Sequence, residues 1–225
     1  MSKTWAILPV KAFDRAKTRL SSVLAGTQRE SVARLMATDV LRALCNTPEI
    51  DRILLLGQGP EQEELARRFD CAYENDDPTL DVSANVTRIA QMPEIQSAKT
   101  FLLVAADLPR LCSQDFARIL RGHQEGITIC RAARDGGTNA FIATMPQQVK
   151  FSFGAGSAKR HALAAQAAGQ KVSVLDDTAF QRDIDTADDL QYLCRQNDSC
   201  DTLKFLQRSG VVTRLNDRVA AAETA

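Results

Sequence analysis

The 225-residue sequence lacks the features that would assign it to several common protein classes. No apolar run approaches the roughly 18 residues that cross a membrane, so we expect no membrane-spanning helix. No charge of one sign is in excess, because 28 lysine and arginine residues balance 28 aspartate and glutamate residues. That balance argues against a general nucleic-acid or membrane-surface binder, although a local basic cluster for a small anionic ligand stays open.

Cysteine, histidine and glycine are also arranged in ways that exclude common sites. None of the six cysteines forms a C-x-x-C pair and no signal peptide precedes them, so we expect reduced, mostly packed thiols in the cytoplasm. The chain has only two histidines, His123 and His161, which disfavours a cysteine–histidine nucleophile built on Cys112. The first strand is followed by no glycine-rich loop, so neither a dinucleotide-binding fold nor a Walker-type loop is supported.

The remaining composition is typical of a soluble globular protein, with 44% hydrophobic and 25% charged residues. Strand and helix patterns alternate and predict one α/β domain with a mostly parallel sheet flanked by helices. We place this domain at residues 1–197. For residues 198–225 we expect one docked helix around Leu203 and Leu206, then a frayed tail from Ala220.

Polar residues before apolar periodic segments predict where three helices begin. Thr27 and Glu30 have the spacing of a capping box, and Ser113 is expected to cap a later helix. Thr186 and Asp189 imitate the same box.

Three other segments have clear local patterns. Residues 81–92 read as a helix with Asn85 away from its apolar face. A helix over residues 158–168 is expected to stop at Gly169. Residues 172–175 predict a last core strand.

The segment around which the chain is organised is an apolar run that ends in a carboxylate. Residues 101–106 predict a central strand buried on both faces, and Asp107 follows it directly. In an open α/β sheet, ligands bind outside the carboxyl ends of the strands, which is where Asp107 would lie. The alternative is an aspartate that only caps the turn after the strand.

The first strand, residues 5–10, leads into a strongly basic loop. Its cations are Lys11, Arg15, Lys17 and Arg19. Their place at the carboxyl end of a strand suits an anionic ligand, while the alternative is an exposed basic loop without a ligand.

A second acidic segment contains Asp183 and Asp185. In an extended segment, residues two apart point to the same side, and two carboxylates on one side repel each other unless a cation lies between them. Together with Asp107 they could form an all-oxygen Mg²⁺ site shared with ligand phosphates. The alternative is that they favour the N-terminus of the following helix.

Gly154 to Ser157 precede a helix and are typical of an anion-binding cradle. Glycines allow close approach, and free N–H groups with the helix dipole favour phosphate, but such a helix start is also common without a ligand. Thr138 and Asn139, after two glycines, would supply neutral hydrogen-bond donors.

These features together suit one reaction class. A nucleoside triphosphate would bind with its phosphates neutralised by Lys11, Lys17, Arg19 and Mg²⁺. A phosphorylated acid held by Thr138, Gly154 and Ser157 would attack the α-phosphate and displace pyrophosphate. With Asp107, Asp183 and Asp185 included, these are nine residues, and catalysis would need no covalent enzyme intermediate.

Several motifs, spread over roughly residues 5–195, also occur in one known family in the same order. They are Leu8-Pro9-Val10-Lys11, Ala16-Lys17-Thr18-Arg19-Leu20, Ala106-Asp107-Leu108-Pro109, Asp135-Gly136-Gly137-Thr138-Asn139-Ala140, Phe153-Gly154-Ala155-Gly156-Ser157 with His161, and Asp183-Ile184-Asp185-Thr186 with Asp189-Leu190. The sequence thereby resembles the guanylyltransferases of deazaflavin coenzyme biosynthesis. This is the 2-phospho-L-lactate guanylyltransferase family, which includes members that use phosphoenolpyruvate or 3-phosphoglycerate.

The resemblance implies a Rossmann-like nucleotidyltransferase fold of the nucleotide-diphospho-sugar transferase type, with GTP as donor, Mg²⁺ as cofactor and pyrophosphate as by-product. It implies three sets of residues. The GTP-binding set is Pro9, Val10, Lys11, Lys17, Arg19, Asn85 and Asp107, of which Lys11, Lys17, Arg19 and Asp107 are catalytic. The acid-binding set is Thr138, Gly154 and Ser157, and the metal set is Asp107, Asp183 and Asp185. A homodimer is a further expectation.

The sequence departs from the family pattern at one motif and leaves rival functions open. Residues 82–85 read Val-Ser-Ala-Asn where the family commonly has Gly-Leu-Asn, so only Asn85 is kept. The rivals are a cytidylyl- or molybdopterin-guanylyltransferase, a sugar-nucleotide-binding glycosyltransferase and a non-catalytic nucleotide-binding regulator.

Overall fold

A computed structural model describes residues 3–196 and 199–215 of the chain. In this part of the chain, seven strands form one sheet in the order β3-β2-β1-β4-β6-β5-β7. The strands are β1 (Thr4–Val10), β2 (Arg52–Gly57), β3 (Ala72–Asn75), β4 (Thr100–Val104), β5 (Ile127–Arg131), β6 (Thr138–Thr144) and β7 (Val172–Leu175). The helices are α1 (Gly26–Cys45), α2 (Pro60–Arg68), α3 (Val82–Ala90), α4 (Pro93–Gln96), α5 (Ser113–Gly122), α6 (Ser157–Ala167), α7 (Ala187–Cys194) and α8 (Asp201–Arg208).

The sheet is mostly parallel, as the alternation of elements predicts. β1 pairs in parallel with β2 and β4, β2 with β3, and β5 with β7. The exception is β6, which is antiparallel to both β4 and β5. Because β6 runs in the opposite direction, its first residue, Thr138, lies at the same sheet edge as the carboxyl ends of β1 and β4. The reversal thus brings Thr138 to the edge where Asp107 follows β4.

The central strand is β4, buried as predicted. Its side chains alternate between the two faces. Leu102 and Val104 pack in one core cluster with residues of α1 and α5, and Phe101 and Leu103 pack in the other with residues of α3 and α6. Helices therefore cover both faces of the sheet, which is why the strand reads as a continuous apolar run.

The prediction of a core strand at residues 172–175 is wrong in one respect. The strand exists as β7, but it is an edge strand with β5 as its neighbour. Val174 is 46% exposed. Short apolar runs do not distinguish edge from central strands, because both can carry β-branched residues.

Two of the predicted helix starts are wrong by a residue or more, and one is confirmed. The first helix begins at Gly26, and Gln28 Oε1 accepts the N–H of Ala25, so Thr27 lies inside the first turn. Ser113 is the first residue of α5 and not its cap. For α7 the capping box is confirmed, since Asp189 Oδ2 accepts the N–H of Thr186 at 3.0 Å.

Helix α5 is capped instead by Cys112, whose N–H donates to Asp115 Oδ2 at 3.1 Å. The predicted end of α6 is confirmed, because Gly169 follows the helix with φ +72°. That left-handed conformation favours glycine.

Helix α8 is the helix predicted near Leu203, and it is joined to α1 through a buried carboxylate. Asp39 of α1 is 5% exposed. It accepts hydrogen bonds from the N–H of Asp201 (3.0 Å) and from both the N–H (2.9 Å) and the hydroxyl (2.7 Å) of Thr202. Leu206 of α8 is buried in a third apolar cluster that also contains Val32 and Met36 of α1.

Three sequence-based expectations about organisation stay predictions. The division at residue 197 falls next to residues 197–198, which lie outside the described residues, as does the tail expected from Ala220. The homodimer is not addressed by one chain. Among the described residues, no helix combines the length and the apolar character needed to span a membrane.

Candidate active site

A cavity of about 610 Å³ lies at the carboxyl edge of the sheet. Its wall is formed by the end of β1 and the basic loop after it, the end of β4, the start of β6 and the loop before α6. Among the predicted site residues, the lining contains Pro9, Val10, Lys11, Lys17, Arg19, Asp107, Thr138, Gly154 and Asp185. The structure thus brings these nine predicted residues to one cavity, whereas Asn85, Ser157 and Asp183 are not in its lining.

Lys17 lies between two carboxylates at one end of the cavity. Its Nζ is 2.6 Å from Asp107 Oδ2 and 2.7 Å from Asp185 Oδ1, and its side chain is 9% exposed. Burial alone would lower the pKa of Lys17, but the charges of Asp107 and Asp185 outweigh it and raise the pKa above the ordinary value. Lys17 is therefore charged at neutral pH and tied to the acidic residues.

Arg134 is the second cation of this end, and the sequence reasoning missed it. Its guanidinium donates to Asp183 Oδ2 (2.7 Å), Asp185 Oδ2 (3.0 Å) and Asp189 Oδ2 (2.8 Å). It precedes the Asp135-Gly136-Gly137 turn, and no sequence pattern indicated where its long side chain would go. We call Lys17, Asp107, Arg134, Asp183 and Asp185 the charged end.

Burial and neighbouring charges together shift the pKa values of Asp183 and Asp185 in opposite directions. Burial raises the pKa of Asp183, and the charge of Asp107 adds to the rise. Burial would also raise the pKa of Asp185, but Lys17 and then Arg134 hold it below the usual range. Asp185 is therefore the better paired of the two.

The three predicted metal ligands fit a divalent cation. One carboxylate oxygen from each of Asp107, Asp183 and Asp185 can be chosen so that all three lie within 4.8 Å of one another. Asp107 Oδ1 is buried and has no hydrogen-bond partner among the described residues. An all-carboxylate set with one unpartnered oxygen suits Mg²⁺, which prefers hard oxygen ligands.

A second cluster of polar residues is built from neutral groups and reaches the cavity wall at Thr138. Thr138 Oγ1 lies 3.0 Å from His161 Nδ1 and 3.0 Å from Ser157 Oγ. The N–H of Ser152 donates to His161 Nε2 at 2.8 Å. Burial, helped by the charge of Arg160, lowers the pKa of His161 to about 4. We call Thr138, Ser157 and His161 the neutral end.

Ser157 neither caps α6 nor lines the cavity. The N-cap is Gly156, with φ +70° and no side-chain capping bond, so the Ser157 hydroxyl does not cap the helix. Ser157 is fully buried, and its hydroxyl donates to Thr138. Its connection to the cavity runs through Thr138, which is in the wall.

The expected cradle of free N–H groups before α6 is wrong at three positions. The N–H groups of Gly156, Ser157 and Ala158 donate to the carbonyls of Asp135 (2.8 Å), Gly154 (3.0 Å) and Gly136 (3.1 Å). These donors hold the loop against the turn before β6. Gly154 itself stays in the cavity wall with φ +105°, a backbone conformation that side chains disfavour.

Asn85 lies away from the position expected for contact with a nucleotide. It is 2% exposed, and its Oδ1 accepts the N–H of Asp77 at 2.8 Å while Nδ2 donates to carbonyls of the same turn. A position away from the apolar face of α3 suggested an exposed side chain, whereas Asn85 is buried. Arg19, in contrast, is mostly in solvent: its side chain is 71% exposed, and its guanidinium lies 3.7 Å from Asp185 Oδ2.

The family model described as "Guanylyl transferase CofC like" matches residues 4–222. The chain belongs to this guanylyltransferase family. The membership confirms the resemblance and the prediction of a nucleotidyltransferase. The match includes α8, whereas the sequence motifs shared with the family end near residue 195.

Several guanylyltransferases are similar to this chain in sequence, and each alignment covers most of both proteins. Phosphoenolpyruvate guanylyltransferases from Conexibacter woesei and Roseiflexus sp. are each 33% identical to this chain. The first alignment covers 84% of this chain and 86% of the relative, and the second covers 91% and 93%. A 2-phospho-L-lactate guanylyltransferase from Methanothermobacter thermautotrophicus is 27% identical over 92% of this chain and 91% of the relative.

Solved structures confirm the fold class of this guanylyltransferase. A protein from Desulfovibrio desulfuricans G20, assigned to the nucleotide-diphospho-sugar transferases, has a TM-score of 0.80 at 19% identity and covers 96% of this chain and 99% of its own. A nucleotidyl transferase from Methanothermobacter has a TM-score of 0.58 at 15% identity, with 92% and 100% covered. At these identities the likeness shows the fold alone.

Proposed function

We propose that this guanylyltransferase transfers GMP from GTP to a small phosphorylated carboxylic acid and releases pyrophosphate, as a step of deazaflavin coenzyme biosynthesis. The observation that carries the proposal is one cavity whose wall contains residues of both the charged end (Lys17, Asp107 and Asp185) and the neutral end (Thr138). The charged end suits a triphosphate and its counterion. The neutral end offers directed hydrogen bonds to the second substrate.

The donor would bind at the first loop and the charged end. Lys11 and Arg19 would neutralise the β- and γ-phosphates, beside the wall residues Pro9 and Val10. Lys17 would join them by exchanging a carboxylate for a phosphate oxygen. Asn85 would act indirectly, by holding the turn around Asp77 that borders α3.

Asp107, Asp183 and Asp185 would hold Mg²⁺, which when bound supplies positive charge for the α-phosphate and the leaving pyrophosphate. Thr138 and Gly154 would position the acid, with Ser157 behind them. A phosphate oxygen of the acid forms the bond to the α-phosphorus. The bond from that phosphorus to the oxygen it shares with the β-phosphate breaks, and pyrophosphate leaves with the electron pair. No covalent enzyme intermediate is needed.

Phosphoenolpyruvate is the acceptor we propose first. The two relatives at 33% identity are named phosphoenolpyruvate guanylyltransferases, and the 2-phospho-L-lactate enzyme is more distant at 27%. 2-Phospho-L-lactate and 3-phospho-D-glycerate are the alternatives. All three carry a phosphate and a carboxylate.

The test is incubation of the protein with GTP, Mg²⁺ and each acceptor in turn. Pyrophosphate release and the mass of the guanylylated product are measured, with CTP and ATP as donor controls. We expect pyrophosphate release with GTP and at least one acceptor, with the highest kcat/KM for phosphoenolpyruvate. GTP binding without turnover would favour a regulator, and no turnover of GTP together with release of a nucleotide from an added sugar nucleotide would favour a glycosyltransferase.

A cytoplasmic location and a homodimer are also part of the proposal. Both stay predictions. Analytical ultracentrifugation of the purified protein tests the dimer directly, because a monomer of 24.6 kDa and a dimer sediment at clearly different rates.

A further inference from the structure

The direction of the hydrogen bonds at the neutral end follows from one backbone group. The N–H of Ser152 can only donate, and it lies 2.8 Å from His161 Nε2. Nε2 must therefore accept, so the neutral imidazole carries its proton on Nδ1. That proton faces Thr138 Oγ1, 3.0 Å away.

The surroundings of His161 keep the ring neutral at physiological pH. The residue is fully buried. Its ring makes edge-to-face contacts with Phe141, Phe151 and Phe153, at centroid distances of 5.6, 5.6 and 5.3 Å. Burial and the nearby charge of Arg160 both disfavour a second proton. The ring therefore acts as a fixed Nδ1–H donor.

Ser157 determines where the Thr138 proton goes. Its hydroxyl is fully buried and has Thr138 Oγ1 as its hydrogen-bond partner at 3.0 Å, with no other among the described contacts. If Thr138 donated to Ser157, the Ser157 proton would be left without an acceptor in the interior, which is costly. Ser157 therefore donates, and Thr138 Oγ1 accepts both from Ser157 and from His161. The remaining direction for the Thr138 proton is the cavity, whose wall contains Thr138.

We propose that His161 and Ser157 are positioning residues that fix the Thr138 hydroxyl as a hydrogen-bond donor pointing into the cavity. This inference rests on the proposed function. The Thr138 hydroxyl then donates a hydrogen bond to a phosphate or carboxylate oxygen of the acceptor acid, which can only accept. A substrate group that must donate finds no free lone pair on Thr138. His161 thus selects the chemistry of the second substrate without touching it.

The tautomer is tested first, by a measurement that does not depend on any activity. The protein is labelled with ¹⁵N-histidine, which gives signals from only two imidazoles because the chain has two histidines. The variant His123→Gln assigns the signals. We expect His161 to be neutral and protonated on Nδ1 at pH 7. A ring that is charged at pH 7, or protonated on Nε2, would overturn the proposal whatever the protein catalyses.

The positioning role is tested with two variants of nearly equal size. His161→Asn keeps an N–H group near the position of Nδ1, whereas His161→Leu removes it, and both lose the same ring packing. With the best acceptor from the panel, we expect His161→Leu to lose about five- to tenfold more acceptor kcat/KM than His161→Asn. The KM for GTP should change less than about twofold in both. Equal losses in the two variants would assign His161 to packing alone.

A double-mutant cycle then asks whether His161 acts through Thr138. Thr138→Val removes the hydroxyl and keeps the shape of the side chain. In the Thr138→Val background, exchanging Asn for Leu at position 161 should make less than about a twofold difference. A difference as large as in the wild-type background would show that His161 affects the acceptor by another route. If no acceptor reacts with the wild-type protein, the proposed function fails, and the tautomer measurement still decides the hydrogen-bond direction.

Discussion

The charged end and the neutral end differ in the kind of polar contact that holds them together. At the charged end, Lys17 and Arg134 pair with Asp107, Asp183 and Asp185 at distances of 2.6–3.0 Å. At the neutral end, Thr138, Ser157 and His161 are joined by hydrogen bonds of 3.0 Å between uncharged groups. Charge acts over distance and tolerates a change of partner, whereas a hydrogen bond acts in one direction. The charged end is therefore suited to binding a highly charged ligand tightly, and the neutral end to selecting a ligand by its hydrogen-bonding groups.

The ends also differ in how the chain assembles them. The charged end joins residues that are far apart in sequence, since Lys17 is 90 residues from Asp107 and 168 from Asp185. The neutral end joins Thr138 to residues 19 and 23 positions away. Long-range assembly depends on the whole sheet, while the local cluster depends on the contact between the loop before α6 and the turn before β6. Perturbing the fold should therefore affect the charged end first.

The largest expected effect breaks the charged end at one carboxylate. Asp107→Asn removes an anionic ligand for the proposed metal but leaves Lys17 paired with Asp185, so the fold should be retained. We expect kcat to fall about 100- to 1,000-fold. Pyrophosphate release measures the loss, and circular dichroism checks the fold. A variant with wild-type turnover at ordinary Mg²⁺ concentration would remove Asp107 from the site.

The next effect sharpens the comparison through pH, because the neutral end contains a buried base. The pKa of His161 is lowered to about 4, below the value of about 6.5 in an unfolded chain. Between these values the unfolded chain binds more protons, so stability falls as pH falls from about 6.5 to about 4, by up to about 3 kcal/mol from this residue.

Urea unfolding at several pH values measures this dependence. In His161→Asn we expect a shallower fall over the same range, and His123→Gln serves as the control for the other histidine. If the slope in His161→Asn equals that of the wild type, the ring does not titrate in this range.

A smaller effect separates two hydroxyl groups of the neutral end. Thr138→Val should lower acceptor kcat/KM by about five- to 150-fold, because it removes one hydrogen bond to a charged group. Ser157→Ala should cost less, about two- to tenfold, since Ser157 reaches the cavity through Thr138. Steady-state kinetics with varied acceptor and saturating GTP gives both values. Normal acceptor dependence in both variants would remove this pocket, and a larger loss for Ser157→Ala would reverse their roles.

The smallest effect concerns the exposed cation of the first loop. Arg19→Ala should weaken the binding of GTP by about 0.2–1 kcal/mol and the binding of GMP by less. The effect is small because an exposed charge is screened by solvent. Lys17→Ala should also weaken GTP more than GMP, and by more than Arg19→Ala, since Lys17 is largely buried. Titration calorimetry at two salt concentrations checks the order, with Arg67→Ala in α2 as a control far along the chain. Equal losses for both nucleotides would place these residues away from the β- and γ-phosphates.

The sequence was sufficient for the elements that depend on local patterns. An apolar run followed by a carboxylate predicts β4 and the position of Asp107, because strand burial and chain direction determine both. The Thr186–Asp189 capping box was confirmed for the same reason. These are properties of a few adjacent residues.

The contacts that the sequence could not provide involve long side chains and shared backbone donors. Lys17 could have faced solvent or ligand, and its position between two carboxylates depends on where distant segments meet. The N–H of Gly156 looked free for an anion, but Asp135 accepts it. Asn85 has all the marks of a polar surface residue and is instead buried in a turn. In each case a tertiary partner decided the outcome.

The link between Asp39 and α8 has a consequence for the order in which the protein is made. The carboxylate is separated by 162 and 163 residues from the backbone donors that satisfy it. A ribosome adding about 5–20 residues per second needs on the order of 10 seconds to cover that length. During this time Asp39 has no partner in α8, so α1 cannot complete its packing until residues 201 and 202 have been made. A chain that stops before residue 200 would carry every residue of the cavity and still lack the final step that secures α1.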